Sequence, residues 1–393
     1  MNGASVDPKI LMADFGHEVM NEEEITLYEE TTERLESSRK RQVPSEKAFA
    51  IISASAHPAD LHVHIRGNAA TLGEKVEPGF PSCLTDQEPV IPEPAQGAKS
   101  SGRRRALAEW ITSEENPLTA RVIMNRLWQH HFGRGIVSTP SDFGEFGQRP
   151  THPELLEWLS AELVANGWSL KEMHRRIMAS STYRMSSIGS AEALERDAEN
   201  HLLSRFELRR LGAEEVRDSI LATNGTLNDE MFGPSIYSMM PQEALDTASR
   251  PDNAWGRSSE EQVRRRSIYI KVKRSLTTPL LAAFDVADTD QSCPERFVTT
   301  QPAQALALLN SEFIHKQARL FAERLVKEAG ARLEDQIRHG LHLALGREPE
   351  EAEVLMHAAF TTELEAEHGL TPEEALIDFC LVAYNLNEFV YVD

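Results

Sequence analysis

Four times along this chain a polar residue able to cap a helix is followed by the groups that a helix start requires. Asn116 precedes Pro117 in "SEENPLTARVIMNRLWQHHFG", Thr151 stands three before Glu154 in "THPELLEWLSAELVANG", and Ser169 stands three before Glu172 in "SLKEMHRRIMASS". Thr371, Pro372 and Glu374 do the same in "TPEEALIDFCLVAYNL". A cap oxygen accepts from the free N–H groups of a first turn, the glutamate three residues on reaches back, and proline tolerates the first position because its missing N–H is not needed there. Gly133 and Gly167 stand where the first two helices would stop. Leu155, Leu159 and Leu163 recur on one helical face. These signals predict a mainly α, multi-helix globular domain.

Two stretches break the helical pattern. "DLHVHIRG" alternates and predicts a strand near 60–66. In "RRRSIYIKVKRS", Ile268, Ile270 and Val272 alternate with Tyr269, Lys271 and Lys273, predicting a strand near 267–273 with a basic face. Residues 20–48 are dense in charge and read as a solvated helix or tail. "DQEPVIPEPAQGAKSSGRRR" is rich in Pro, Gly and Ser and reads as a linker. The organisation expected is a charged helical tail or spacer over 1–50, a small β segment and linker over 51–102, and a helical domain over 103–393. Residues 226–262 form a long irregular stretch, the kind of loop that is usually functional or disordered.

The net charge of −21 opposes a general nucleic-acid role, because phosphate contacts need a positive surface. No apolar run approaches the roughly 20 residues that cross a bilayer, so no transmembrane segment is expected. The first residues turn acidic at once, unlike a signal peptide. Cys83, Cys293 and Cys380 are odd in number and far apart, which opposes a disulfide framework. There is no C-x-x-C-H, so no covalently held haem is expected within this chain and no cofactor is assigned to it.

The richest local run is "NRLWQHHFGRGIV", residues 125–137. At 100° per residue, Ile123, Met124, Leu127, Trp128 and Phe132 share one apolar arc, and Arg121, Asn125 and His131 fall inside it. His130 points about 100° away from His131, so the adjacent histidines do not share a metal as an i, i+4 pair would. Two readings follow. His131 and Asn125 are buried and hydrogen-bonded at a helix end, or Arg121, Asn125, Trp128, His131 and Asp142 line a binding pocket for an anion or carboxylate. Arg264, Arg265, Arg266, Lys271 and Lys273 form a candidate anion patch, with internal salt bridging as the alternative. His62 and His64 share one face of the first strand and are the candidate metal ligands, with a polar strand face as the plainer reading. Glu312 with His315, and Glu365 with His368, each make a Glu-x-x-His step as in di-iron bundles, a step common by chance in so acidic a chain. "DTDQSCPER" begins like a calcium loop, but Cys293 and Thr299 occupy the positions that need Gly and Glu. No nucleophile elbow, P-loop or dinucleotide fingerprint is present.

Several strings together resemble one family. They include "NPLTARVIMNRLWQHHFGRGIV", "TPSDFG", "HPELLEWL", "GWSLKEMHRRIMASSTYR", "RRLGAEEVRDSIL", "RRSIYIKVKRS", "SCPERFVTTQPAQALALLN" and "NLNEFVYVD". The chain over about 103–393 is similar to the planctomycete PSD-type domain of unknown function. The resemblance implies a C-terminal domain of exported proteins, in the periplasm or cell envelope. It implies an upstream cytochrome c-like module, where haem would sit, a companion domain, and a sulfatase-like neighbour protein. This chain departs from the pattern in having no haem module or export signal, which implies a C-terminal piece or a truncated member. Gly212 also stands where Asp or Ser is usual, removing a side-chain cap. Three functions are expected to compete. The first is a binding or scaffold domain of a haem-associated complex, engaging a partner protein or anionic glycan. The second is an enzyme acting on sulfated polysaccharides, and the third a metal-dependent hydrolase using His62 and His64.

Overall fold

The computed structural model describes residues 21–40, 55–246 and 254–392. The start of the expected tail, its end near 41–48 and part of the long irregular stretch lie outside those residues. The chain divides into two units, Met1–Ala50 with Met231–Pro234, and Ile51–Glu230 with Ser235–Asp393. In the first, α1 (Glu22–Lys40) opens with a reciprocal cap: Asn21 Oδ1 accepts from the Glu24 N–H, and Glu24 accepts from the Asn21 N–H, each at 3.0 Å. Its Leu27 and Leu35 are exposed, so this is a solvated helix.

The second unit starts with an antiparallel hairpin, β1 (Leu61–His64) and β2 (Leu72–Val76), with Leu61 opposite Val76 and a register shift between His62 and His64. The Pro-rich stretch that follows has no regular structure until α2 (Arg103–Ile111). A first core then forms from α3 (Thr119–Phe132), α4 (Pro153–Ala165) and α5 (Leu170–Ala179), around Met124, Trp128, Leu159, Leu163 and Met173. After α6 (Ala191–Arg196), the short strand β3 (Arg209–Arg210) leads into α7 (Ala213–Thr223). The irregular excursion carries α8 (Gln242–Asp246) and ends at α9 (Pro279–Ala283). The second core is a bundle of α10 (Pro302–Asn310), α11 (Glu312–Ala329), α12 (Leu333–Leu345), α13 (Glu351–His368) and α14 (Pro372–Tyr384). Phe321, Leu325, Ile337, Val354 and Phe379 fill it. Gly340 lets α12 approach α14, since a Cβ there would sit 2.8 Å from the Phe379 ring. α15 (Asn387–Val390) and β4 (Tyr391–Val392) close the unit, and β4 pairs antiparallel with β3.

The helix starts are mostly those the sequence marks, with informative differences. Thr371 and Glu374 form the full reciprocal cap of α14. Asn116 caps α3 from further upstream, its Oδ1 accepting from the Leu118 and Thr119 N–H groups. Thr151 does not cap α4. Its N–H and hydroxyl both donate to the Ile136 carbonyl, which leaves His152 at the cap position. Ser169 takes the cap position of α5 without a side-chain bond, while Glu172 pairs with Arg175 and Arg176. At Gly212 the missing side-chain cap is half replaced, because the Glu215 carboxylate accepts the Gly212 N–H at 2.6 Å.

The strand expected near 267–273 is corrected. Ser267–Tyr269 is a 3₁₀ turn, and only isolated bridges join Asn228 to Arg265 and Ile236 to Ile270. Ile270 is buried while Ile268 and Val272 are exposed, so the alternating residues do not share a face. The reason is competition for backbone groups. The buried Arg217 guanidinium donates to the Val263 and Arg265 carbonyls, and Asp218 accepts from the Ser267 N–H at 2.7 Å. Those groups are spent on α7 rather than on a neighbouring strand.

One clasp fixes the exit of α3. Gly133 ends the helix at φ +80°, and buried Asn125 then bonds both backbone groups of Val137, accepting its N–H at 2.7 Å and donating to its carbonyl at 2.9 Å. The chain between must lie flat on that amide: a Cβ on Gly135 would come within 2.6 Å of Asn125 Nδ2 and the Val137 oxygen. Asn125→Ala strands two buried backbone groups, and urea unfolding is expected to show a loss of about 2–4 kcal/mol. A midpoint and slope equal to wild type would show that the clasp contributes nothing.

Candidate functional site

The clasp delivers residues 133–136 to the rim of a cleft of about 400 Å³. Its walls include Trp128, Phe132, Arg134, His201, Arg209 and Tyr391, so α3, the loop after α6, β3 and β4 all contribute. The loop is built by its own polar side chains. Asp197 accepts from the His201 and Leu202 N–H groups at 2.8 and 2.7 Å, and those bonds hold its carboxyl below the usual range. Asn200 is buried and donates to the Arg205 carbonyl at 2.9 Å. Asn200 and Leu203 both have positive φ, 52° and 55°. Asparagine tolerates that region, whereas for Leu203 it is strain stored at the cleft wall.

Three arginines shape the electrostatics. Arg134 Nη2 donates to the Glu199 carbonyl at 2.8 Å. Arg210 is buried, donating to Asp285 at 2.6 Å and to the Leu211 carbonyl at 3.1 Å, with its guanidinium 5.2 Å from the Phe284 ring centre. Asp285 in turn accepts from the N–H and hydroxyl of Thr299, which holds Val298 and Thr300 against the cleft. Arg209 is the least committed. Its Nη1 lies 3.6 Å from Glu215, and its buried Nε has no hydrogen-bond partner among the described residues. A buried donor left unsatisfied costs stability unless something accepts from it. Also lining the cleft, His201 Nε2 stands 2.9 Å from a Glu199 carboxylate oxygen.

The five residues singled out on and near α3 do not gather in one place. Trp128 lines the cleft. Arg121 makes a two-pronged pair with Glu157 of α4, both contacts at 2.6 Å, and also bonds the Pro117 carbonyl. Asn125 is consumed by the clasp. Asp142 sits in an exposed turn and accepts from the Gly144 N–H at 2.8 Å. His131 Nε2 meets His174 Nδ1 of α5 at 2.8 Å, beside the Tyr183 ring.

The basic residues of 264–273 also disperse. Arg265 is buried, stacked 4.0 Å above Tyr269 and bonded to the Glu230 carbonyl. Arg266 faces Asp218 at 3.7 Å, and Arg264 lies near Glu260. Only Lys271 and Lys273 share a groove. On the hairpin, His62 Nδ1 lies 3.0 Å from the Gly73 carbonyl. Among the described residues no three His, Cys, Asp or Glu side chains gather as a metal site, and no helix is long and apolar enough to cross a membrane. Arg134, Arg209, His201, Glu199 and Tyr391 were not singled out from the sequence. The adjacent pair Arg209–Arg210 ahead of a helix start was the one available signal.

Fold and cleft define a mainly α-helical domain with a cleft lined in part by three arginines. A family described as "PSD1: Protein of unknown function (DUF1553)" matches residues 103–361, and the chain belongs to that family. No curated protein and no solved structure matches the chain. The matched segment stops short of α14 and β4, although α14 fills the second core and β4 supplies a cleft wall.

The His131–His174 contact is pH-sensitive by construction. One nitrogen must donate and the other accept, so the contact requires at least one neutral ring. Burial, followed by the charges of His174, Arg209 and His130, pulls the His131 pKa below its ordinary 6.5. The folded state therefore binds fewer protons than the unfolded state just below pH 6.5. Its contribution is intact above that pH and is lost as pH falls towards the lowered folded value. His131→Gln is expected to show a shallower fall in thermal midpoint than wild type from about pH 6.5 downwards. Superimposable profiles would remove His131 from the acid response.

Proposed function

We propose that this chain is a binding domain whose arginine cleft takes an anionic group, a carboxylate or sulfate, carried by an acidic glycan or an acidic segment of a partner protein. The observation that carries the reading is the Arg209 guanidinium in the wall of that cleft, whose side chain is a quarter exposed and whose Nη1 has only a long 3.6 Å contact with Glu215. Arg134 and Arg210 also line it, so three arginines stand there against the two carboxylates of Glu199 and Glu207, in a chain whose net charge is −21. Such local cationic potential focuses anions despite the overall sign. Trp128, Phe132 and Val298 give the cleft an apolar side, suited to the carbon skeleton of a ligand. In the setting implied by the resemblance, the domain is a scaffold in a cell-envelope complex of planctomycete type, beside a cytochrome c-like module and its companion domain. A sulfatase-like neighbour would work on the same sulfated ligand.

A second reading has one observation in its favour. His201, in contact with Glu199 and lining the same cleft as Arg209, would be the group to move a proton on a bound anionic substrate. The domain would then be an enzyme on acidic polysaccharides.

Calorimetric titration with a sulfated oligosaccharide, its desulfated counterpart and a glutamate-rich peptide tests the first reading. Binding of the anionic ligands alone is expected. Arg209→Gln should weaken it about tenfold, the effect of one charge-assisted hydrogen bond. Arg121→Gln, on the salt bridge to Glu157, should leave it unchanged. Equal affinity in the Arg209 variant would overturn the assignment of the cleft. Product formation lost in His201→Ala but binding retained would favour the second reading.

A further inference from the structure

A groove of about 510 Å³ lies where Tyr237, the segment 254–256 and the segment 271–273 meet. The Tyr237 and Trp255 rings stand 5.4 Å apart and nearly perpendicular, at 86°, and make two sides of a corner. The corner is prebuilt. Trp255 Nε1 donates to the Ser238 carbonyl at 2.9 Å, and the Tyr237 N–H donates to Ser258 at 3.0 Å. Gly256 is flat under the tyrosine, because a Cβ there would stand 2.5 Å from the ring. Lys273 donates to the Ala254 carbonyl at 2.5 Å, and the Lys271 N–H donates to Ile236 at 2.7 Å, so the two segments are locked together.

What the locking leaves unsatisfied is suggestive. The Lys271 side chain is exposed and makes no hydrogen bond or ion pair with the described residues. Most of this chain's cations that face acidic helices are paired, as with Arg347 to Glu353 and Glu388, or Arg296 to Glu214. Beside Lys271, Val272 is 68% exposed at the same groove. A rigid aromatic corner, an open apolar side chain and a free ammonium gain nothing by adjoining one another in water. Together they complement a ligand that is apolar on one face and anionic at one edge.

We propose that this groove is a subsite for an acidic pyranose, a sugar ring bearing a carboxylate or sulfate. The C–H face of the ring would lie in the Tyr237–Trp255 corner, with the acid at Lys271. A puckered ring touches both sides of a perpendicular corner, whereas a flat nucleobase stacks on only one. That geometry favours the sugar over a nucleotide. The subsite is separate from the arginine cleft and stands or falls without it.

The test is calorimetric titration of the whole chain with a glucuronate-containing tetrasaccharide, its carboxyl-reduced counterpart, and adenosine monophosphate. The acidic tetrasaccharide should bind, and the carboxyl-reduced form should bind about tenfold more weakly, as expected for loss of one charge-assisted contact. Lys271→Ala, at an exposed and unpaired position, should keep the wild-type circular dichroism and melting profile and weaken the acidic sugar by the same factor. Val272→Asp should weaken it too, by placing a like charge beside the ligand. Titrated in an Arg209→Gln background, where the cleft is weakened, the acidic tetrasaccharide should still bind and Lys271→Ala should still weaken it about tenfold, which separates the subsite from the cleft. The proposal is overturned if Lys271→Ala binds the acidic sugar as wild type does, if the reduced sugar binds equally well, or if only the nucleotide binds.

Discussion

A single buried guanidinium organises an irregular stretch of the described chain. Residues 254–275 carry little regular structure, yet their backbone cannot be buried with its polar groups unpaired. Arg217, on α7, satisfies the Val263 and Arg265 carbonyls and the Ser267 hydroxyl at once. Burial lowers its pKa to about 10, which still leaves it charged at neutral pH. Its neighbour Asp218 takes the Ser267 N–H and hydroxyl. The excursion is thereby fastened to a helix whose Val216 and Ile220 belong to the second core. The groove at Lys271 and the turn at Ser267 both follow from that fastening.

The helical body was legible because its signals are local. A cap, its glutamate and an apolar stripe lie within one or two turns, and short-range hydrogen bonding decides them. Thr371 with Glu374 is the clear case. The failures share one cause, competition from a partner distant in sequence. Thr151 reads as a cap but is taken by Ile136, and the alternation of 268–272 reads as a strand but its neighbours are taken by Arg217 and Asp218. Nothing within a window of ten residues announces either partner.

The site was legible only in part for the same reason. Of the three polar residues on the α3 arc only Asn125 is buried, Arg121 and His131 are half-buried, and each is claimed by a different neighbour: Glu157, Val137 and His174. Polar residues on one apolar arc need not converge, because each needs its own partner when buried. The cleft instead takes the end of the same run, Arg134 and its flanking glycines, and completes it with Arg209 and Tyr391. Asn125 matters to the site through backbone geometry: it aims the wall without lining the cleft itself.

The pairing of Arg209 with Val392, and of Arg210 with Tyr391, sets an order of events for the growing chain. Every helix of the second bundle is synthesised between the two strands, so this contact can form only after the whole bundle has emerged, and loop closure over such a span is slow. The cleft stays open-walled on a nascent chain until β4 emerges and docks. An intact cleft therefore depends on the bundle made between its two strands, a dependence that a domain held together only by local helix pairs would lack.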